Sequence, residues 1–127
     1  MNINHGDYLI RVEDNMVILT LSGEFNELSV QAYVAEIQLT IEKFENSPFL
    51  MLVDNLALVG ATPEAYKESD HHNHWLSTTN MLGKATVYPS SFLADVDSAR
   101  VSSKKRLNCK NFESISAAKK WLNNHRS

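Results

Sequence analysis

The sequence has little cysteine, glycine or proline, and each low count excludes a class of protein. Because Cys109 is the single cysteine, an internal disulfide is impossible, as is typical of proteins in a reducing compartment. Four glycines and three prolines exclude collagen-like and linker-like sequences. No apolar run reaches the roughly 18 residues of a membrane-spanning helix, and residues 1–5 lack the features of a secretion signal. We therefore expect a cytoplasmic protein that is not integral to a membrane.

The length of 127 residues, 43% of them hydrophobic, predicts one domain over 1–127 with a core from 7 to 125. The net charge of −3 hides an asymmetry, because residues 98–127 hold eight of the twelve basic and one of the fifteen acidic residues. Two interpretations stay open: the two ends attract each other, or the basic end binds an acidic partner, a phosphate or an anionic lipid headgroup. No motif for binding nucleic acid accompanies the basic residues, so we expect no nucleic-acid partner.

Alternating and continuous apolar residues predict five strands. These are Tyr8–Glu13, Met16–Leu21, Phe49–Val53, Lys84–Tyr88 and a weak strand at Arg106–Cys109. The first two form a hairpin through Asp14 and Asn15, residue types that tolerate positive φ. The uninterrupted run Phe49–Val53 stops at Asp54 and is typical of a central strand buried on both faces.

Helical spacing and capping residues predict four helices between these strands. They run from the cap Asn26 to about Phe44, from the cap Thr62 to about Asn80, from Phe92 to about Ser102, and from the cap Ser114 to about Asn124. Gly23 should end the second strand, and Gly83 should lie just beyond the second helix. The order β-β-α-β-α-β-α-β-α predicts an α/β fold with a mixed, mainly parallel five-stranded sheet flanked by four helices.

Three stretches, together with this order of elements, resemble the STAS family and its SpoIIAA-like branch of small bacterial proteins. The first is the strand Phe49-Leu50-Met51-Leu52-Val53-Asp54, and the second is Gly83-Lys84-Ala85-Thr86-Val87. The third is the ending Asn111-Phe112-Glu113-Ser114 with Ala118-Lys119-Lys120-Trp121-Leu122, which is similar to the Phe…Ala-x-x-Trp-Leu tail of SpoIIAA-like domains. The resemblance covers residues 7 to 125.

The resemblance implies a non-enzymatic module that regulates by binding a protein through the loop after the central strand and the next helix. In this family, phosphorylation of a hydroxyl at the helix N-terminus switches the binding, and Thr62 falls at that position. The family's Asp-Ser-Ser-Gly-like pattern is absent, because Ala61 precedes and Pro63 follows Thr62. A cap of the helix is therefore the alternative role of Thr62. The predicted partner-binding or regulatory residues are Asp54, Asn55, Thr62 and Glu64.

The SpoIIAA-like branch also implies an alternative function, a carrier or sensor of a small apolar, lipid-like ligand held between sheet and helices. The basic C-terminal residues would then meet an anionic headgroup. The same apolar side chains could instead fill the core, because composition does not distinguish a pocket from a packed interior. A homodimer is also compatible with the sequence. The residues predicted to line the ligand site are Leu56, Leu58, Val59, Tyr66, Trp75 and Tyr88.

The cluster Asp70-His71-His72-Asn73-His74 is the strongest candidate for metal chemistry. It provides too few ligands on one helix for zinc, and help from His5, Cys109 or His125 would be needed. We expect His72 to pack inward beside Trp75, with His71 and His74 toward water. The sequence has no nucleophile elbow and no glycine-rich nucleotide loop. It therefore predicts no catalytic residues, no cofactor and no metal.

Overall fold

A five-stranded sheet runs through the residues that the computed structural model describes, 6–90 and 108–125. The strands are β1 (Asp7–Glu13), β2 (Met16–Phe25), β3 (Phe49–Ala61), β4 (Met81–Val87) and β5 (Cys109–Phe112). The helices are α1 (Glu27–Glu42), α2 (Pro63–Leu76) and α3 (Ile115–Asn123). The helix predicted at Phe92–Ser102 lies outside the described residues.

The order of the strands in the sheet follows their order in the chain, which makes β3 the central strand. β1 pairs with β2 in an antiparallel hairpin, in which Glu13 faces Met16 and Asp14 has a φ of +53°. All the other pairs are parallel. The crossovers β2–α1–β3 and β3–α2–β4 each lead to the next strand on the same side. Because such crossovers have the same hand, their helices lie on the same face of the sheet. α1 and α2 accordingly share one apolar core. The predicted mixed, mainly parallel five-stranded sheet is confirmed.

Two cores lie on opposite faces of the sheet, because successive side chains of a strand point to opposite sides. Met51 and Val53 of β3 face α1 and α2, whereas Leu50 and Leu52 pack with Ala118 on the α3 side. All of the residues Phe49–Val53 are at most 5% exposed. The prediction that this stretch is a central strand buried on both faces is confirmed.

The first two parallel strands are longer than predicted, which removes a predicted loop. β2 continues beyond Leu21 to Phe25, and β3 continues beyond Val53 to Ala61, with Phe25 facing Ala61 at the end of the ladder. Register shifts on either side of Gly23, which has a φ of +85°, let this pairing continue. The predicted stops were wrong, because backbone pairing to a neighbour extends a strand through polar and small residues. The segment after Val53 is therefore strand and not loop.

Three further boundaries differ from the prediction. α2 ends at Leu76, four residues before the predicted end. The next three residues, Ser77, Thr78 and Thr79, end the helix because each hydroxyl donates to the carbonyl oxygen three residues earlier. Gly83 is inside β4, where it faces Leu50. The last strand was predicted at Arg106–Cys109, but the residues that pair with β4 are Cys109–Phe112.

The start of α1 is fixed by a reciprocal cap, whose removal should be measurable. Asn26 Oδ1 accepts from the backbone N–H of Ser29 at 2.9 Å, and Ser29 Oγ accepts from the N–H of Asn26 at 2.8 Å. We expect Asn26→Ala to lower the free energy of unfolding by about 1 kcal/mol, because the N–H of Ser29 loses the side-chain oxygen that accepts its hydrogen bond. Urea unfolding measures this loss. The exposed Gln31→Ala on the same helix is the control, and an equal loss there would contradict the capping role.

Candidate functional site

A cavity of about 70 Å³ lies between the sheet and the helices α1 and α2. Its apolar wall comes from β2, β3 and α1, including Leu19, Leu21, Phe25, Val30, Tyr33, Met51 and Val53. These side chains belong to the core that α1 and α2 cover. The cavity is therefore a gap in that core, toward the carboxyl ends of the parallel strands.

The other wall of the cavity is polar and is built by β3, β4 and α2. Ala85 of β4 belongs to the core on the α3 face of the sheet. Because successive side chains of a strand alternate between faces, Lys84 and Thr86 lie on the other face, which α2 covers. Lys84 is 8% exposed, and its Nζ donates to Asn73 Oδ1 at 2.7 Å. Asn55 continues the row of β3 side chains that begins with Met51 and Val53. Strand register thus brings polar groups together inside an otherwise apolar layer.

Two side chains of this wall have buried polar atoms with no hydrogen-bond partner among the described residues. They are Asn55, through Oδ1, and His72, through both ring nitrogens, and each residue is 5% exposed. The His72 ring stacks against Trp75 with the ring centroids 6.0 Å apart. Burial, and to a lesser extent the nearby charge of Lys84, lower the pKa of His72 from 6.5 to about 3. His72 is therefore neutral near pH 7, with one nitrogen donating and one accepting.

The predicted regulatory residues lie in the middle of β3 and at the start of α2. Thr62 caps α2, since its Oγ1 accepts from the N–H of Ala65 at 3.1 Å. Glu64 is exposed in the first turn, and Asp54 Oδ1 accepts from the N–H of Leu56 at 3.0 Å. Asn55 is separated from these by strand alternation and lines the cavity. We call the residues of this segment that do not line the cavity the β3–α2 surface, namely Asp54, Leu56, Ala57, Val59, Gly60 and Thr62–Glu64.

The predicted ligand-lining residues fall into three places. Leu58, Tyr66 and Tyr88 line the cavity together. Leu56 and Val59 are 42% and 65% exposed and belong to the β3–α2 surface. Trp75 lies instead in a depression beside Ile41 and Phe49, at the other end of α2. The structure therefore gathers part of the predicted set at one site and assigns the rest elsewhere.

Lys84, Thr86 and Asn73 line the cavity and are site residues that the sequence patterns do not predict. The signal was the alternation Lys84-Ala85-Thr86-Val87, in which the polar positions share one face. Alternation alone favours a polar face toward solvent, and only the packing of α2 turns this face inward. Asn73 lies within the histidine cluster, but the spacing of the cluster assigns no role to this side chain.

The histidine cluster separates as predicted. His72 is buried, whereas His71 and His74 are exposed, and His74 Nε2 lies 3.6 Å from Asp70 Oδ2. Within 6–90 and 108–125, no three histidine, cysteine or acidic side chains are grouped as metal ligands. His125 Nδ1 instead lies 2.8 Å from the carbonyl oxygen of Trp121.

The basic residues described near the C-terminus do not meet the cavity. α3 covers the opposite face of the sheet, where Lys119 Nζ lies 3.4 Å from Glu13 Oε2. This contact supports attraction between the two ends of the chain. These described lysines are therefore not placed to bind the anionic headgroup of a ligand held in the cavity. No helix in the described part of the chain is long and apolar enough to span a membrane.

Comparison with known proteins identifies the fold. The sequence matches no protein-family model and no curated protein sequence. The structure is similar to an uncharacterized protein of the DUF3478 family with a SpoIIAA-like fold from Shewanella loihica, with a TM-score of 0.65, 13% identity, and coverage of 96% of this chain and 97% of that one. It is also similar to an anti-sigma factor antagonist from Mycobacterium paratuberculosis, with a TM-score of 0.67, 12% identity, and coverage of 96% and 97%. The protein therefore has a SpoIIAA-like fold of the STAS type.

Proposed function

We propose that the protein is a non-enzymatic regulatory module that binds a protein partner through the β3–α2 surface. The observation that carries the proposal is the pair of exposed apolar side chains Leu56 and Val59, 42% and 65% exposed, on the part of β3 that leads to α2. Apolar side chains surrounded by polar ones are typical of protein-binding patches. The similarity of fold to an anti-sigma factor antagonist supports the same class of function.

The start of α2 gives this surface a means of regulation. Thr62 and Glu64 are exposed there, and the hydroxyl of Thr62 caps the helix. Phosphorylation of Thr62 would add nearly two negative charges to the β3–α2 surface, three residues from Val59. The free N–H groups of the first helical turn would stabilise that phosphate. We propose that the modified surface no longer binds the partner, because binding would then bury the added charge.

The test compares surface variants in affinity purification from cells of the source organism. We expect the double variant Leu56→Ser/Val59→Ser to retain less than about a tenth of a captured protein, because two interface apolar side chains are lost. Thr62→Glu should give a similar loss, and Thr62→Ser, which keeps the capping oxygen, should bind as the wild type does.

A matched control lies elsewhere on the chain. Leu39 on α1 is 60% exposed, so Leu39→Ser removes an apolar side chain of similar exposure at a site apart from the β3–α2 surface. This variant should capture the same protein as the wild type. Equal capture by the double variant and the wild type, with all variants folded by circular dichroism, would refute binding through the β3–α2 surface.

A second candidate function is the binding of a small ligand in the cavity. The specific observation in its favour is the volume of about 70 Å³ bordered by Asn55 and His72, whose buried polar atoms have no partner among the described residues. A native pocket commonly combines apolar walls with a few polar groups that orient the ligand. This volume suits a small molecule, or one end of a larger one.

A further inference from the structure

The outer edge of β1 carries backbone groups that point away from the sheet. β1 is an end strand, and among the described strands it pairs with β2 alone. Leu50 N–H donates to the carbonyl oxygen of Asn15 at 2.8 Å, so the odd-numbered residues at the start of β2 bond to β3 and the even-numbered ones bond to β1. These even-numbered residues face the odd-numbered residues of β1. The N–H and C=O groups of Tyr8, Ile10 and Val12 are therefore directed to the outer edge.

The side chains of β1 are arranged so that the strand is complementary to itself. Tyr8 and Ile10 pack on the core that α1 and α2 cover, so alternation places Asp7, Leu9 and Arg11 on the other face of the sheet. All three are exposed, and Leu9 is 60% exposed. An exposed apolar side chain thus lies midway between an acidic and a basic one. Two such strands that run antiparallel match acid with base on both sides of the leucine.

Antiparallel pairing of two β1 edges centred on Leu9 also satisfies the backbone. In this register the outward N–H and C=O groups of Tyr8 meet those of Ile10 in the second copy, and the twofold axis repeats the pair. Leu9 then faces Leu9 of the second copy in a non-hydrogen-bonded position, where facing side chains are closest. The exposed edge thereby gains both hydrogen bonds and an apolar contact.

Charge favours this register over its neighbour. With Leu9 at the centre, Asp7 of each copy faces Arg11 of the other, whereas a centre at Ile10 places Asp7 opposite Glu13, a pair of like charges. Within one copy Arg11 lies 3.9 Å from Glu13, and Glu13 also lies 3.4 Å from Lys119. Glu13 therefore keeps a cationic neighbour when Arg11 turns to the second copy.

We propose that two copies of this chain form a dimer by antiparallel pairing of their β1 strands, centred on Leu9. The two sheets then continue into one another across the twofold axis. Because β2 lies between β1 and β3, this pairing does not use the β3–α2 surface. The dimer is thus a second interaction, independent of the proposed partner binding.

Sedimentation of the purified protein over a range of concentrations tests the dimer. Arg11→Asp places a carboxylate opposite Asp7 in both charge pairs, so we expect the dissociation constant of the dimer to rise at least about tenfold. The double variant Asp7→Arg/Arg11→Asp exchanges the two charges and should dimerise as the wild type does. Lys67→Asp makes the same change of net charge at an exposed position on α2 and should leave dimerisation unchanged.

A cysteine at the centre of the pairing tests the register. In a Cys109→Ser background, Leu9→Cys should give a disulfide-linked dimer on mild oxidation, because residues that face each other in this position have Cα atoms close enough for a disulfide. Val12→Cys is the control, since Val12 is also exposed, to 46%, but its two copies lie far apart in this register. Electrophoresis without reductant measures the linked fraction.

Three results would each overturn the proposal. The first is a wild-type protein that sediments as a monomer up to submillimolar concentrations. The second is a dimer that Arg11→Asp leaves unchanged, or that Arg11→Asp weakens and the charge exchange does not restore, with all variants folded by circular dichroism. The third is a linked fraction of Leu9→Cys no larger than that of Val12→Cys, and this comparison still decides if a charge variant does not fold.

Discussion

Replacing Leu50 with alanine is expected to lower the free energy of unfolding by about 2–5 kcal/mol. Leu50 is fully buried in the central strand β3 and belongs to the core between the sheet and α3. Truncation removes apolar contacts and leaves a cavity, and the rigid sheet limits how far the surroundings can collapse into it. Neighbouring strands hold β3 on both sides, so a shift of the backbone is especially unfavourable.

Urea unfolding followed by circular dichroism measures this loss. Leu56→Ala is the matched control, because Leu56 lies on the same strand but is 42% exposed. We expect that variant to lose less than about 1 kcal/mol, since most of the contacts of an exposed side chain are with water. Losses of similar size in the two variants would contradict the central, two-sided burial of Phe49–Val53.

The central part of the fold could be predicted because its residues are constrained on every side. Phe49–Val53 is apolar throughout, and burial on both faces of a sheet is the simplest way to satisfy such a run. Asn26, Thr62 and Ser114 were correctly predicted as helix caps, because capping depends on interactions within a few residues. Local chemistry was sufficient in both cases.

The ends of the strands could not be predicted, because they depend on pairing between distant residues. The extension of β3 to Ala61 exists because Ser22–Phe25 continues beside it. Nothing in the amino acids of this segment alone distinguishes a paired strand from a loop. The segment for which the sequence predicts partner binding therefore consists of strand residues and the first turn of α2, and not of a loop.

The polar wall of the cavity was missed for a related reason. Asn55, Lys84 and His72 come from β3, β4 and α2, so no local pattern joins them. Alternation showed that Lys84 and Thr86 share a face but not that α2 covers this face. The position of a crossover helix over the sheet is a tertiary property, and it decides whether a polar row meets water or the core.

Acidification from pH 7.5 to 4.5 is expected to remove about 2–3 kcal/mol of folding stability through His72. The pKa of His72 falls from 6.5 to about 3 on folding, because of burial and then the charge of Lys84. Between these values the unfolded chain takes up a proton that the folded protein does not. Stability is therefore complete above about pH 6.5 and is lost as the pH falls toward 3.

The contribution of His72 is isolated by comparing variants across pH. His72→Phe keeps an aromatic ring beside Trp75 but cannot titrate, so its stability should fall less steeply over this range. His71→Phe makes the same substitution at the neighbouring exposed position and controls for the added aromatic ring. Because the readout is a slope against pH, a constant gain or loss of stability from the substitution does not affect it. Identical slopes in the His72→Phe protein and the wild type would mean that His72 takes up its proton in the folded state, which is incompatible with a neutral, buried ring in the wall of the cavity.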